Sequence, residues 1–205
     1  KMFPALMLMG TVVATSCSSE WDDHFDETQA VVDAGSNVVI SSNTLTEYMK
    51  GAGDLQQMFK LLADNQIFDN IFNDGQYTLF VCPDSCFDET KINNDSIFAL
   101  HSIADMPVNP AKLVNGSNIN VRSGKSVWVY ENGTQLDGLN ISKIVKAANG
   151  FIYYVDGILP IRQSAYELLL SLGEDYSRFK ALVLSYDYKY FDREHSKPIG
   201  VTADG

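Results

Sequence analysis

The sequence predicts an α+β domain, because its helical and strand signals fall in separate parts of the chain. Between residues 44 and 72, apolar side chains recur at intervals of three and four residues, which is typical of amphipathic helices. Between residues 77 and 155, short apolar or alternating segments are separated by glycine and asparagine turn signals, which is typical of β-strands. Hydrophobic residues make up 45% of the 205 residues, so the chain has enough apolar side chains to form a folded core.

The helical part is predicted to begin with a capping box formed by Thr44 and Glu47 and to stop at Gly51 and Gly53. Asp54 is the predicted cap of a second helix. The apolar residues of that helix are Leu55, Met58, Phe59 and Leu62, and a further stripe holds Ile67, Phe68, Ile71 and Phe72. This spacing indicates core packing rather than a cofactor site.

Six strands are predicted, at residues 77–81, 97–103, 118–121, 126–130, 141–147 and 151–155. In the first of them, alternate residues of Tyr77–Val81 fall on one face. Pro83 ends this strand, and Asp84 is the predicted N-cap of a short helix that follows. The Asn132-Gly133 pair indicates a hairpin turn between two of the later strands.

Residues 77–87 and 149–160 form two distinctive segments at the two ends of the strand-rich part. Their distinctive residues are Thr78, Leu79, Phe80, Pro83, Asp84 and Phe87 in the first, and Asn149, Gly150, Ile152, Tyr153, Val155, Asp156, Ile158, Leu159 and Pro160 in the second. This set resembles the two signature segments of the fasciclin domain family, in the family's order and separation. The resemblance covers residues 43–160 and implies a fasciclin-like fold, with wedge-shaped β-sheets and flanking short helices.

The fasciclin family usually carries a Tyr-His pair between the two segments, in the region most often tied to adhesion. Here Leu100 and His101 occupy that place, so the histidine matches and the tyrosine does not. We interpret His101 as a hydrogen-bonded core residue. Asp84 and Asp156 resemble a cap and a turn carboxylate, which implies structural roles for both.

Residues 1–16 are predicted to be a lipoprotein signal peptide. Their apolar run is too short to span a bilayer as a mature helix, and small residues directly precede Cys17. This pattern looks like a bacterial lipobox, so Cys17 is the predicted lipidation site; the alternative is a buried helix with an incidental cysteine. Residues 17–42 then form an acidic tether, either a solvated linker or a surface-export tag. The expected location is the bacterial outer membrane, lipid-anchored at the cell surface.

Residues 161–205 are predicted to be the start of an incomplete second fasciclin-like repeat, since tandem copies are common in the family. Their helical stripe consists of Tyr166, Leu169 and Leu170, followed after Gly173 by Tyr176, Phe179 and Val183. The alternative is a helical cap that packs on the first domain.

The net charge of −11 argues against nucleic-acid binding, because phosphate backbones would be repelled. Anionic lipid headgroups would also be repelled, which leaves the lipid on Cys17 as the predicted membrane attachment. Cys82 and Cys86 are interpreted either as small core residues or, in an oxidising compartment, as a disulfide. No metal and no cofactor are expected, since no further cysteine or histidine lies at ligand spacing.

These observations together predict a non-enzymatic cell-surface lipoprotein that acts in adhesion or in binding an extracellular protein or ligand. The fasciclin resemblance implies this function, and the sequence offers no catalytic constellation for a hydrolase. The alternative is an accessory lipoprotein that binds glycans or partner proteins in a nutrient-uptake system. Its candidate contact residues are Trp128, Tyr130, Tyr153 and Tyr154, about half of which strand alternation places in the core.

Overall fold

The structure is a computed structural model that describes residues 37–72 and 75–187. The predicted signal peptide, Cys17 and most of the acidic tether lie outside the described residues. Val38–Ile40, which were predicted to belong to the tether, form a strand of the sheet instead. The chain divides into two units, with the boundary between Ile161 and Arg162. The first unit combines short helices with a multi-stranded sheet, which confirms the predicted α+β class.

The first unit contains both helices and strands up to residue 104 and mostly strands afterwards. The described helices are α1 (Leu45–Gly51), α2 (Gln56–Asp64), α3 (Ile67–Asn70) and α4 (Asp95–His101). The described strands are β1 (Val38–Ile40), β2 (Tyr77–Val81), β3 (Ile103–Ala104), β4 (Asn118–Asn120), β5 (Ser126–Tyr130), β6 (Gln135–Leu136), β7 (Leu139–Ala147) and β8 (Gly150–Val155).

The sheet has β8 near its centre. Its strand order is β3-β2-β8-β7-β6-β5-β4, and β1 pairs in parallel with β7. β8 runs parallel to β2 on one side and antiparallel to β7 on the other. All six residues of β8 are buried, as expected for a strand covered on both faces.

The helices α1 and α2 pack with their apolar faces in the core. The predicted capping box is confirmed, because the Thr44 hydroxyl accepts from the Glu47 N–H and the Glu47 carboxylate accepts from the Thr44 N–H. The predicted stripe of α2 is also confirmed, since Leu55, Met58 and Leu62 are fully buried and Phe59 packs partly buried against the core. Leu45 and Met49 of α1 are fully buried as well. Burial of these side chains, rather than helix propensity, stabilises helices as short as these.

The predicted strand at residues 97–103 is wrong, because most of it is the helix α4. The Asn94 side chain accepts a hydrogen bond from the Ile97 N–H and so caps the helix. Phe98, Ala99 and His101 are buried on one side of α4, whereas Ile97 is exposed. The strand β3 begins only at Ile103, so the apolar residues predicted as one strand are divided between the helix α4 and the strand β3.

The later strands lie close to their predicted places. The Asn132-Gly133 turn is confirmed, since both residues have positive φ angles, of 55° and 87°. This turn leads from β5 into the two-residue strand β6, which the sequence did not indicate, and β6 then pairs with the start of β7.

The second unit contains the helices α5 (Ala165–Ser171) and α6 (Ser177–Ser185) in its described part. These helices have the same lengths as α1 and α2, and α5 begins with a capping box between Ser164 and Glu167, as α1 does. Their apolar residues are much more exposed than those of α1 and α2: Leu169 is the one buried side chain in their described residues. The incomplete second repeat stays a prediction.

Candidate functional site

The two segments that resemble the fasciclin family lie side by side as neighbouring strands of the sheet. The first forms β2 and the second forms β8, which pair in parallel with Tyr77 opposite Gly150 and Val81 opposite Tyr154. Parallel pairing brings together residues that are far apart in the sequence, so the sequence alone does not reveal it. The matched side chains are therefore neighbours around one pair of strands.

Gly150 is at the closest approach between these strands. Its φ angle is 149°, and a Cβ atom at this position would lie 1.8 Å from the Tyr77 carbonyl oxygen. A side chain therefore has no space here, which explains why a glycine begins β8.

Asn149 connects the same corner of the sheet to the first helix. Its side-chain oxygen accepts from the Leu45 N–H at 2.8 Å, and its carbonyl accepts from the Tyr77 N–H at 3.1 Å. The side chain thus satisfies one of the free N–H groups at the start of α1. One residue fixes α1 and β2 relative to β8.

Asp84 caps a helix, but not the one predicted from the sequence. Residues 85–87 form no helix; instead the Asp84 carboxylate accepts from the Gln56 N–H at 3.1 Å and the Gln57 N–H at 2.9 Å. These are the first N–H groups of α2, for which Asp54 was the predicted cap. The N-cap residue of α2 is Leu55, which has no capping side chain, so the carboxylate is supplied by tertiary structure.

Thr78 holds the segment that follows β3. Its buried hydroxyl donates to the Met106 carbonyl and accepts from the Val108 N–H, both at 2.8 Å. The Tyr153 hydroxyl donates to the Val108 carbonyl at 2.7 Å, and burial raises the pKa of this phenol. Both hydroxyls therefore serve a backbone segment rather than an open site.

Asp156 joins the ends of β7 and β8. Its carboxylate accepts from the backbone N–H of Asn140 at 2.9 Å and from the side-chain amide of Asn140 at 2.6 Å. Asp156 is exposed, so this bidentate contact positions Asn140 at the surface of the sheet.

The remaining matched residues are mostly apolar and differ in burial. Phe80, Val155 and Leu159 are buried, and Phe87 packs half-buried against the same core. Pro83 is half-buried and Pro160 is exposed.

His101 lies at the end of α4 and is fully buried. Its Nδ1 lies 3.0 Å from the Ser123 hydroxyl, while its Nε2 makes no hydrogen bond of standard geometry in the described part of the chain. Burial lowers the pKa of His101 to about 4, against a smaller opposing effect of the Pro160 carbonyl. The imidazole is therefore neutral at neutral pH and has no contact with solvent.

Cys82 and Cys86 are both free thiols in this structure. Cys82 is buried, and burial raises its pKa to about 12, so it is a poor nucleophile at neutral pH. The Cys86 thiol donates to the Pro83 carbonyl at 3.4 Å. With its thiol free and buried, Cys82 agrees with the interpretation as a small core residue.

Two of the four aromatic candidates for ligand contact are excluded by burial. Tyr153 and Tyr154 are essentially inaccessible to solvent, whereas Trp128 is 39% exposed and Tyr130 is half-buried. The number agrees with the prediction that about half of the four lie in the core, but alternation is not the reason: Tyr153 and Tyr154 are consecutive residues and are both buried because β8 is covered on both faces. The accessible aromatic residues of this set lie on β5 alone.

A small polar pocket of about 190 Å³ lies beside α2 and is lined by residues that include Lys60, Asp64, Glu89 and Asp95. Within residues 37–72 and 75–187, no group of three His, Cys, Asp or Glu side chains is placed to hold a metal ion. None of the helices in these ranges is long and apolar enough to cross a membrane.

No protein-family model matches the chain, and no curated protein matches it.

Proposed function

We propose that residues 43–160 form a fasciclin-like domain that works as a non-enzymatic binding module at the bacterial cell surface. The observation that supports this proposal is the parallel pairing of β2 with β8. It gathers the residues that resemble the family into one connected unit, in which Asn149 binds the start of α1 and Asp84 binds the start of α2.

The non-enzymatic part of the proposal rests on how the polar groups of this unit are used. Thr78, Asp84 and Asp156 bond to backbone N–H groups of other segments. His101 is buried and neutral at neutral pH. A general acid or base has to reach the reacting group of a substrate, and these side chains are committed to the fold instead.

The proposed role is adhesion or the binding of an extracellular protein or ligand, with the lipid on Cys17 as the membrane anchor. An accessible sheet held on a rigid scaffold suits recognition by surface contact, which needs no catalytic pocket. The acidic tether that begins at Cys17 and precedes β1 would hold the domain away from the membrane.

A binding screen of the purified chain against immobilised matrix proteins and polysaccharides tests the proposal. We expect saturable binding to at least one of them with a Kd below about 100 μM. The Gly150→Ala variant is the control for a disrupted fold and should not bind. Absence of binding throughout, or turnover of ester, peptide or glycoside substrates that depends on His101, would contradict a non-enzymatic binding role.

A second candidate function is that of an accessory lipoprotein in nutrient uptake, which binds glycans or a partner protein of a transporter. The exposure of Trp128 on the sheet surface favours this candidate. Transporter and glycosidase genes next to the gene for this chain would support it over adhesion.

A further inference from the structure

The strands β4, β5 and β6 have one buried face and one accessible face. Ile119, Val127, Val129 and Leu136 are buried on the inner face. The accessible face carries a row of uncharged polar and aromatic side chains, which we call the outer strip: Asn118, Asn120, Ser126, Trp128, Tyr130 and Gln135. Successive side chains on a strand point to opposite faces, so the strip follows directly from the alternation in these strands.

The strand register places Trp128 in the middle of the outer strip. Asn118 lies directly opposite Trp128, and Asn120 lies directly opposite Ser126 on the neighbouring strand. Tyr130 is two residues from Trp128 on the same face, a distance of about 7 Å along the strand. Two aromatic rings are therefore flanked by amide and hydroxyl groups.

Part of the strip is held rigid by hydrogen bonds. The Ser126 hydroxyl donates to the Asn120 side-chain oxygen at 3.0 Å, and the Gln135 side-chain amide donates to the Asn140 side-chain oxygen at 2.9 Å. Asn140 is itself held by Asp156. These contacts fix the edges of the strip on a regular sheet, which reduces the ordering cost of binding.

Other polar groups of the strip are available. Within the described residues, the Asn118 amide, the Trp128 indole N–H and the Tyr130 hydroxyl have no hydrogen-bond partner. Asn118 offers both donors and an acceptor, and the indole offers a donor beside an apolar ring. The free groups therefore lie on the same strip as a partly exposed indole.

We propose that the outer strip binds a neutral oligosaccharide or polysaccharide. The weakly positive C–H groups on one face of a sugar ring match the negative face of an indole, and ring hydroxyls match amide donors and acceptors. None of the six side chains is charged at neutral pH, and the chain carries a net charge of −11, so an anionic glycan would be repelled. A protein partner would need an apolar centre, and Trp128 has polar neighbours on the adjacent strand instead.

This inference rests on the proposed binding function and names its ligand class and site. The test is isothermal titration of the full chain with cellohexaose, xylohexaose, mannohexaose and maltohexaose. We expect at least one of them to bind and to change the tryptophan fluorescence. Trp128→Ala should weaken that binding by at least about tenfold, whereas Trp128→Tyr should change it by about threefold or less.

The other tryptophan of the chain, Trp21, supplies a matched control. Trp21→Ala should leave both the affinity and the fluorescence change in place, and Asn118→Ala should lower the affinity severalfold. Circular dichroism of each variant checks that the fold is kept. No binding of the four oligosaccharides at about 5 mM would overturn the proposal, and so would binding that survives Trp128→Ala. If the chain binds a matrix protein in the wider screen with unchanged affinity after Trp128→Ala, this site fails while the proposed binding function stands.

Discussion

Single residues around the paired strands β2 and β8 hold distant parts of the fold together. Asn149, Gly150 and Asp84 act through backbone groups that lie far from them in the sequence. The cost of substituting such a residue depends on the space and on the partners that the fold provides.

Gly150→Ala should destabilise the chain strongly, because its Cβ would meet the backbone carbonyl of Tyr77 and neither strand can move without breaking the sheet. We expect a loss of more than about 4 kcal/mol in the free energy of unfolding, measured by urea denaturation. Gly124→Ala is the matched control, since Gly124 also has a positive φ, of 77°, but has open space around it. That control should lose about 1–2 kcal/mol, the cost of the backbone conformation alone. Equal losses in the two variants would contradict the steric contact.

Asp84→Ala should remove the side-chain cap of α2 and lower the free energy of unfolding by about 1–2 kcal/mol. Asp54→Ala is the informative comparison, since Asp54 is the cap that the local sequence indicates but its side chain does not bond to the helix. We expect it to change the stability by less than about 0.5 kcal/mol. A larger loss of stability in Asp54→Ala than in Asp84→Ala would show that Asp54 caps α2, and would contradict the cap by Asp84.

His101 should make the chain less stable as the pH falls. Its pKa is lowered to about 4 in the folded chain, below the ordinary value near 6.5. Between these two pH values the unfolded chain therefore binds more protons at His101 than the folded chain does. The stability contribution is therefore complete above about pH 6.5 and is lost progressively down to about pH 4, by up to about 3 kcal/mol.

His101→Asn tests this pH dependence, because asparagine keeps a polar group near Ser123 and does not titrate. Urea denaturation of both proteins between pH 7 and pH 4 measures the difference, and carboxylates contribute equally to both. The wild-type chain should lose more stability over this range than the variant. Parallel pH profiles would show that the histidine is not buried in its neutral form.

At the scale of elements, the helix pairs α1–α2 and α5–α6 have equal lengths and a capping box at the same place, but differ in burial. The side chains of Tyr166, Phe179 and Leu182 are about half exposed, whereas the apolar side chains of α1 are fully buried. Short helices in water are marginal without packing. The two pairs therefore carry the same local signals, but the apolar face is buried in α1–α2 and mostly exposed in α5–α6.

Hydrogen exchange of the full chain should show this difference. We expect the amides of α5 and α6 to exchange well before those of α1, α2, β2 and β8, because exchange protection follows local packing. Such a result supports the incomplete second repeat, whose apolar face would need a partner. Equal protection of the two helix pairs would favour the alternative, a helical cap that belongs to the first domain.

At the scale of the whole molecule, the predicted membrane attachment depends on Cys17, which lies outside the described residues. Cys17→Ser should move the protein from the membrane fraction to the soluble fraction of cells, since the chain's net charge of −11 gives no attraction to anionic lipid. Fractionation followed by immunoblotting measures this, and Cys86→Ser serves as the control that keeps the anchor. A Cys17→Ser variant that stays in the membrane fraction would contradict the lipid anchor.

Local sequence rules determined a large part of this fold. The capping box of α1 joins residues three apart, and the alternation of β5 and the Asn132-Gly133 turn also depend on near neighbours. Such signals can be read directly, because both partners lie within a few residues. The signal for α4 was also local, in the Asn94 cap, but apolar residues on both sides of the helix end resembled a strand.

Only the tertiary structure decided which residues work together. It paired β2 with β8, assigned Asp84 to a helix whose N–H groups lie 27 and 28 residues away, and joined Asn149 to Leu45 across 104 residues. It also separated Trp128 and Tyr130, which remain accessible, from Tyr153 and Tyr154, which are buried on opposite faces of β8. The sequence determined the elements because short-range hydrogen bonds and apolar periodicity specify them. The contacts between elements depend on chain segments that meet only after folding, and those contacts place the outer strip at the surface.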